Sequence, residues 1–204
     1  KDLGVTVTEL GAQSESDING QISILENAVA GKPAAVVISP TEFKALGKPI
    51  DECTALCIPT AQYGHPHVGP GVKPWEFVSG REDSKMTQLG WKSVGLLELT
   101  ALPSIDEERW VPLVRETDVL LAAGGDALYL CHWMRESGLA DMVPALGDTV
   151  WVGLSGGSMV MTPRIGEAFM GWQPPARDDR ALGVVDFAIY PHLDHPMLPT
   201  NTMA

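Results

Sequence analysis

The 204-residue chain has few basic residues, no long apolar run and few cysteines, and each shortage excludes a class of protein. Fourteen Lys and Arg residues stand against 26 Asp and Glu residues, so the formal net charge at pH 7 is −12. A surface of that sign repels a phosphate backbone, and we expect no nucleic-acid partner. No apolar stretch approaches the roughly 20 residues that cross a bilayer, so we expect no membrane partner.

The three cysteines and the paired histidines also limit the chemistry. Cys53, Cys57 and Cys131 form neither an even set for disulfides nor a CxxC pair, which favours a reducing compartment, and we expect a cytoplasmic protein. His65 and His67 flank a proline with no third ligand nearby in sequence, so we expect no metal ion and no other cofactor. Composition does not indicate an oligomeric state.

What the sequence does contain is a regular alternation of strand-like and helix-like segments. "TALCIP" and "DVLLAA" are apolar runs typical of parallel strands buried on both faces. "SIDEERWVPLVRET" has the acidic first turn of a helix, with Ser104 as the predicted N-cap. We therefore predict an α/β fold, a three-layer sandwich around a mainly parallel sheet.

One motif lies where a predicted strand meets a predicted helix. "TVWVGLSGGSM" contains the pattern G-x-S-x-G, with Ser155 at its centre. A strand that turns at once into a helix needs small residues beside the turn and leaves the central hydroxyl exposed. Ser155 is therefore a candidate nucleophile, and a plain glycine-rich connection is the alternative.

Two further motifs follow predicted strands, at the edge where parallel α/β sheets bind ligands. Gly124-Gly125-Asp126 follows "DVLLAA" and could present backbone N–H groups to an oxyanion; the alternative is a simple connection with Asp126 as N-cap. His192 follows the predicted strand "VVDFAIY" and could act as the base for a serine. His195 lies in a proline-rich tail and is expected at the surface.

Taken together, "ALCIPTA", "VLLAAGGDALYL", "VGLSGGSM" and "FAIYPHLDH" resemble the peptidase E family of serine peptidases, from residue 53 onward. The resemblance implies a sandwich similar to class I glutamine amidotransferases and flavodoxin, and hydrolysis of short peptides without a cofactor. It also implies that Ser155 is the nucleophile and His192 the general base. The backbone amides of Gly125 and Gly156 would form the oxyanion hole.

The resemblance does not determine which acid pairs with His192 or which residues contact the substrate. We predict Glu167 as the acid, and the alternatives are Asp178, Asp179 and Asp194. The family usually has Ser-Ala-Gly at the elbow, whereas this chain has Ser-Gly-Gly.

Aspartyl dipeptidases need a cation for the substrate carboxylate, and no arginine follows His192. This absence argues against aspartyl specificity. Arg164 and Arg177 are the nearest candidates, and we predict substrate contacts from Arg164 and Asp126.

The opening residues have a different resemblance. "GVTVTELGAQSESDINGQISILENAVAGKPAAVVISPTE" is similar to part of a periplasmic sugar-binding protein, and the chain starts without a methionine or signal segment. We therefore predict a βαβα fragment over residues 1–52 in the same sheet as a C-terminally shortened peptidase portion over residues 53–204. An engineered, catalytically silent chimera is the alternative to an active peptidase, and residual sugar binding is a weaker one.

Overall fold

The structure is a computed structural model that describes residues 52–66, 72–84 and 86–192. Its contacts divide the chain into two compact units, one of residues 54–82 and 93–204 and the other of residues 1–53 and 83–92. All strands of the described residues belong to the first unit. The predicted βαβα fragment, apart from Glu52, lies outside the described residues, as do Asp194 and His195.

The described part of the second unit centres on a short 3-10 turn, Thr87–Leu89. The Ser84 hydroxyl accepts the backbone N–H of Thr87 at 3.2 Å, which supplies one of the acceptors that a helical first turn lacks. Trp91 donates its indole N–H to the Met86 carbonyl at 2.9 Å. These local bonds fix the turn within its own unit.

The larger unit contains a four-stranded sheet in which every pairing is parallel. The strand order is β2-β1-β3-β4, so the chain reverses its direction of winding between β1 and β3. This is the flavodoxin-like order, in which ligands bind beyond the carboxyl ends of the strands near the reversal. The predicted α/β fold with a parallel sheet is confirmed. The strands are β1 Thr54–Ile58, β2 Ser93–Leu96, β3 Val119–Ala122 and β4 Val150–Gly153.

Helices and 3-10 turns connect these strands. Asp106, and not the predicted Ser104, precedes the second helix as its N-cap residue. Ser104 ends a separate 3-10 turn, where its hydroxyl donates to the Ala101 carbonyl at 2.7 Å, so that hydroxyl is already used. The helices are α1 Val72–Val78, α2 Glu107–Glu116, α3 Ala127–Glu136, α4 Leu139–Met142 and α5 Gly156–Met159.

The core is built on β3, whose four residues are all buried. Leu128, Leu130 and Met134 on α3 belong to the same buried apolar cluster as Leu120. A central parallel strand is covered on both faces, which explains its unbroken apolar run. In β4 the residues instead alternate between exposed and half-buried. The core is therefore centred on β3 and α3, whereas β4 is only partly buried and ends in the G-x-S-x-G motif.

The strand predicted at "VVDFAIY" does not form, and that prediction is wrong. Residues 184–187 are bends and 188–191 have no regular structure. The N–H groups of Leu182 and Val185 donate instead to the Val160 and Met161 carbonyls, just after α5. The segment has the predicted apolar pattern, but these backbone N–H groups bond to carbonyls at a helix end and not to a neighbouring strand.

Gly153→Ala tests the junction between β4 and α5. A Cβ atom on Gly153 would lie 2.2 Å from the Gly157 carbonyl oxygen, so the backbone must move. We expect the free energy of unfolding, measured by urea denaturation, to fall by about 3 kcal/mol.

Gly147→Ala is the matched control, because nothing lies within 4 Å of a Cβ atom there. It should leave stability unchanged or raise it by about 0.5 kcal/mol. Equal stabilities for the two variants would contradict the close backbone contact.

Candidate active site

Ser155 is held in a sharp turn between β4 and α5. Its backbone has φ 50° and ψ −112°, a conformation that L-residues rarely adopt and that persists only when the surroundings impose it. Before it, Leu154 donates to the Ala122 carbonyl at 3.0 Å and continues the β3–β4 pairing. After it, the Ser155 carbonyl accepts the Met159 N–H at 3.0 Å and starts the helix. The strand and the helix together impose the turn that the sequence predicts.

The two outer glycines of the motif are required by close backbone approach. A Cβ atom on Gly153 would meet the Gly157 carbonyl, and one on Gly157 would lie 2.4 Å from the Ala122 carbonyl oxygen. Any larger residue at either position would push α5 away from the sheet. The spacing G-x-S-x-G is thus a packing requirement, and the serine at its centre is half-buried.

The structure brings His192 to Ser155. The His192 Nε2 atom lies 2.8 Å from the Ser155 Oγ atom, although 37 residues separate them in sequence. His192 also has a positive φ of 59°. When Nε2 carries no proton, the serine hydroxyl donates to it, which is the arrangement that a general base requires.

Gly125 and Gly156 meet beside this pair. Gly125 has φ 139°, and a Cβ atom on it would lie 2.3 Å from the Ala61 carbonyl oxygen. A Cβ atom on Gly156 would lie 2.3 Å from the Gly125 carbonyl oxygen, so the alanine usual in the resembling family does not fit here without a shift. No hydrogen bond between described residues uses the N–H of Gly125 or of Gly156. Their place in an oxyanion hole stays a prediction.

Asp126 lies next to Gly125, but its carboxylate is already used. One oxygen accepts the Tyr129 N–H at 2.9 Å as the N-cap of α3, and the other accepts the Trp172 N–H at 2.5 Å. The side chain is buried. These contacts favour the N-cap interpretation of Asp126 and attach the loop around Trp172 to the site, while its predicted substrate contact stays a prediction.

Arg164 forms an ion pair with Asp179, and Asp178 forms one with Arg180. Asp179 also accepts the Gly166 N–H at 3.2 Å and is buried. Two of the alternative acids are thus paired with arginines. Arg164 already has a carboxylate partner, and its predicted contact with substrate stays a prediction.

Glu167 begins the 3-10 turn Glu167–Phe169 and is exposed. No hydrogen bond between described residues joins its carboxylate to His192. The turn does lie beside the chain that leads to the histidine, because the Phe169 and Tyr190 ring centres are 6.2 Å apart.

A second polar cluster at the same edge of the sheet was not predicted. The Glu98 carboxylate accepts hydrogen bonds from the hydroxyls of Tyr63, Thr60 at 3.3 Å and Thr100 at 3.0 Å. Burial and the bond to Glu98 raise the pKa of Tyr63 above its usual range. Thr60 and Glu98 each come just after a strand, and that position is the signal that could have indicated the cluster.

The buried Cys57 is not a competing nucleophile. Burial, with help from the carboxylates of Glu82 and Glu98, raises the pKa of its thiol to about 11. The reactive thiolate is therefore scarce at neutral pH.

Residues 52–66, 72–84 and 86–192 contain no group of three or more His, Cys, Asp or Glu side chains arranged to bind a metal ion. Nor does any helix in those ranges have the length and apolar character needed to span a bilayer.

Comparison with known proteins identifies the family. Residues 39–203 match Peptidase family S51, and the chain belongs to that family. The match begins inside the segment that resembles a sugar-binding protein, and no comparison supports that second resemblance or a chimera. No curated protein matches the chain.

Eight solved chains are similar to this one, and two of them illustrate the likeness. One is a Listeria monocytogenes EGD-e protein provisionally described as a peptidase E, with 18% identity, a TM-score of 0.52, and coverage of 74% of this chain and 75% of that one. The other is a peptidase from an acI-B1 Actinobacterium, with 17% identity and a TM-score of 0.44. That match covers 87% of this chain and 63% of the other. At this identity the Listeria structure supports the fold.

Alkylation tests the state of Cys57. Because its pKa is about 11, iodoacetamide at pH 8 should leave Cys57 unmodified in the native protein, as read by peptide mass spectrometry. Protein unfolded in urea is the control, and there all three cysteines should react. Rapid native modification of Cys57 at pH 8 would contradict the assignment.

Proposed function

We propose that the protein is a serine peptidase that hydrolyses short peptides through Ser155 and His192. The observation that carries the proposal is the 2.8 Å contact between the His192 Nε2 and Ser155 Oγ atoms. Membership in Peptidase family S51 supports the reaction class. A catalytically silent chain is the alternative.

In the proposed reaction the Ser155 Oγ atom attacks the peptide carbonyl carbon while Nε2 of His192 takes the hydroxyl proton. The tetrahedral intermediate then breaks its C–N bond, and His192 gives the proton to the leaving nitrogen. Water attacks the resulting ester by the same proton relay and restores the serine. One water molecule is consumed for each peptide bond broken.

The developing negative charge would be stabilised by the N–H groups of Gly125 and Gly156. Both are available among the described residues, and both belong to backbone fixed by contacts that tolerate no Cβ atom. Such fixed donors need no reorganisation when the oxyanion forms, and losing one costs ~3 kcal/mol in related reactions.

We propose Glu167 as the carboxylate that orients His192. Its turn packs beside the chain before His192 through Phe169 and Tyr190, and its carboxylate has no other partner among the described residues. Asp178 and Asp179 are less suitable for this role, since each already forms an ion pair with an arginine.

A fluorophosphonate probe tests the nucleophile. Wild type should gain one covalent adduct, located on Ser155 by peptide mass spectrometry, and Ser155→Ala should gain none. Ser104→Ala is the matched control, because Ser104 lies in a separate turn and should leave labelling unchanged. Equal labelling of wild type and Ser155→Ala would remove the basis of the proposal.

Glu167→Gln tests the acid. Removal of the charge should lower kcat for a hydrolysed dipeptide by about 100-fold or more, with a smaller effect on KM, because orientation of the base matters most in the transition state. Asp178→Asn removes the charge that pairs with Arg180 and leaves an oxygen that can still accept the Arg180 N–H, so it should keep the wild-type kcat. If Glu167→Gln keeps full kcat while Asp194→Asn loses it, Asp194 is the acid.

A further inference from the structure

We propose that this site prefers peptides with apolar side chains on both sides of the scissile bond. Leu154 would contact the acyl-side residue and Tyr190 the leaving-group residue. The inference rests on the proposed function and adds a substrate class to it. Two exposed apolar residues are next to the Ser155–His192 pair along the chain, because Leu154 directly precedes Ser155 and Tyr190 comes two residues before His192.

Leu154 precedes Ser155 directly and is 69% exposed. Its Cγ atom would lie 3.7 Å from a Cβ atom on Gly124, so the side chain lies against the turn that ends in Gly125. A single exposed leucine is ordinary on a protein surface. This one belongs to the residue directly before the reactive serine, and it lies against Gly124, the residue before the proposed oxyanion donor Gly125.

Tyr190 is 59% exposed and comes two residues before His192. Its ring packs against Phe169 with a centre-to-centre distance of 6.2 Å and an interplanar angle of 54°. The contact fixes the ring while leaving most of it open. The second exposed apolar side chain therefore belongs to the histidine side of the pair.

The chemistry of the reaction assigns one substrate side to each residue. The acyl group is bonded to Ser155 Oγ in the ester, and its carbonyl oxygen points to Gly125 and Gly156, so its side chain lies within reach of Leu154. The leaving nitrogen takes its proton from His192 and therefore departs on the side of Tyr190. An apolar side chain at each place would remove a leucine or tyrosine surface from water.

The negative charge of the protein also favours apolar over acidic substrates. The chain carries a formal net charge of −12, and Glu167 lies in the turn whose Phe169 packs on Tyr190. Arg164 already has Asp179 as its carboxylate partner. An acidic substrate side chain would meet repulsion here, whereas an apolar one would not.

Two substrate series test the assignment by kcat/KM. The first varies the acyl residue among Leu, Phe, Ala and Asp in aminoacyl p-nitroanilides. The second keeps a Leu acyl residue and varies the leaving residue among Phe, Leu, Ala and Asp in dipeptides. Wild type should prefer Leu or Phe over Ala by at least about 10-fold in each series, and Asp should be poorest.

The variants should separate the two sides. Leu154→Ala should reduce the Leu/Ala ratio of the first series toward one and leave the ratios of the second unchanged. Tyr190→Ala should do the reverse. Leu113→Ala, at a leucine 55% exposed on α2, is the matched control and should change neither series.

Different results would overturn the apolar preference alone or the proposed peptidase activity as well. Ser155-dependent hydrolysis that favours Asp would overturn the apolar preference, and so would variants that lower kcat/KM equally for every substrate. Either result would leave the proposed peptidase activity standing. No hydrolysis of any substrate by wild type, together with no fluorophosphonate adduct, would overturn both. Fluorophosphonate labelling of Leu154→Ala and Tyr190→Ala shows whether each variant keeps a folded site.

Discussion

The close backbone contact between the end of β4 and the start of α5 is the constraint on which the site depends. Gly153 and Gly157 allow the helix to begin against the sheet, and Ser155 takes its unusual backbone conformation because the elements on either side are fixed. A conformation of this kind persists only when its surroundings determine it. The backbone conformation of Ser155 is therefore a consequence of packing, and the packing in turn depends on the buried β3.

The same contact brings the other parts of the site to Ser155. The turn after β3 lies against the elbow through Gly125 and Gly156, and the turn after β1 lies against Gly125 through Ala61. Three adjacent parallel strands thus deliver their carboxyl ends to one place. His192 arrives by another route, since the N–H groups of Leu182 and Val185 bond to carbonyls just beyond α5. The chain that carries His192 is therefore bonded to the residues that follow the helix after Ser155.

The difference between the regular strands and the irregular route to His192 explains which parts of the structure could be predicted from the sequence. β1 and β3 were predictable because buried parallel strands are unbroken apolar runs, and the elbow because its glycine spacing follows from the local backbone. The irregular path before His192 was not, since its apolar pattern is the same whether the backbone bonds to a strand or to a helix end. The Glu98 cluster was missed because its partners Thr60 and Tyr63 lie 38 and 35 residues away in sequence.

The central claim is that His192 activates Ser155, and the rate of fluorophosphonate labelling in His192→Ala measures it most directly. Loss of a general base should slow labelling at Ser155 by at least about 100-fold relative to wild type, while circular dichroism shows an unchanged fold. Labelling of His192→Ala at the wild-type rate would contradict the account, because the 2.8 Å contact would then have no chemical consequence.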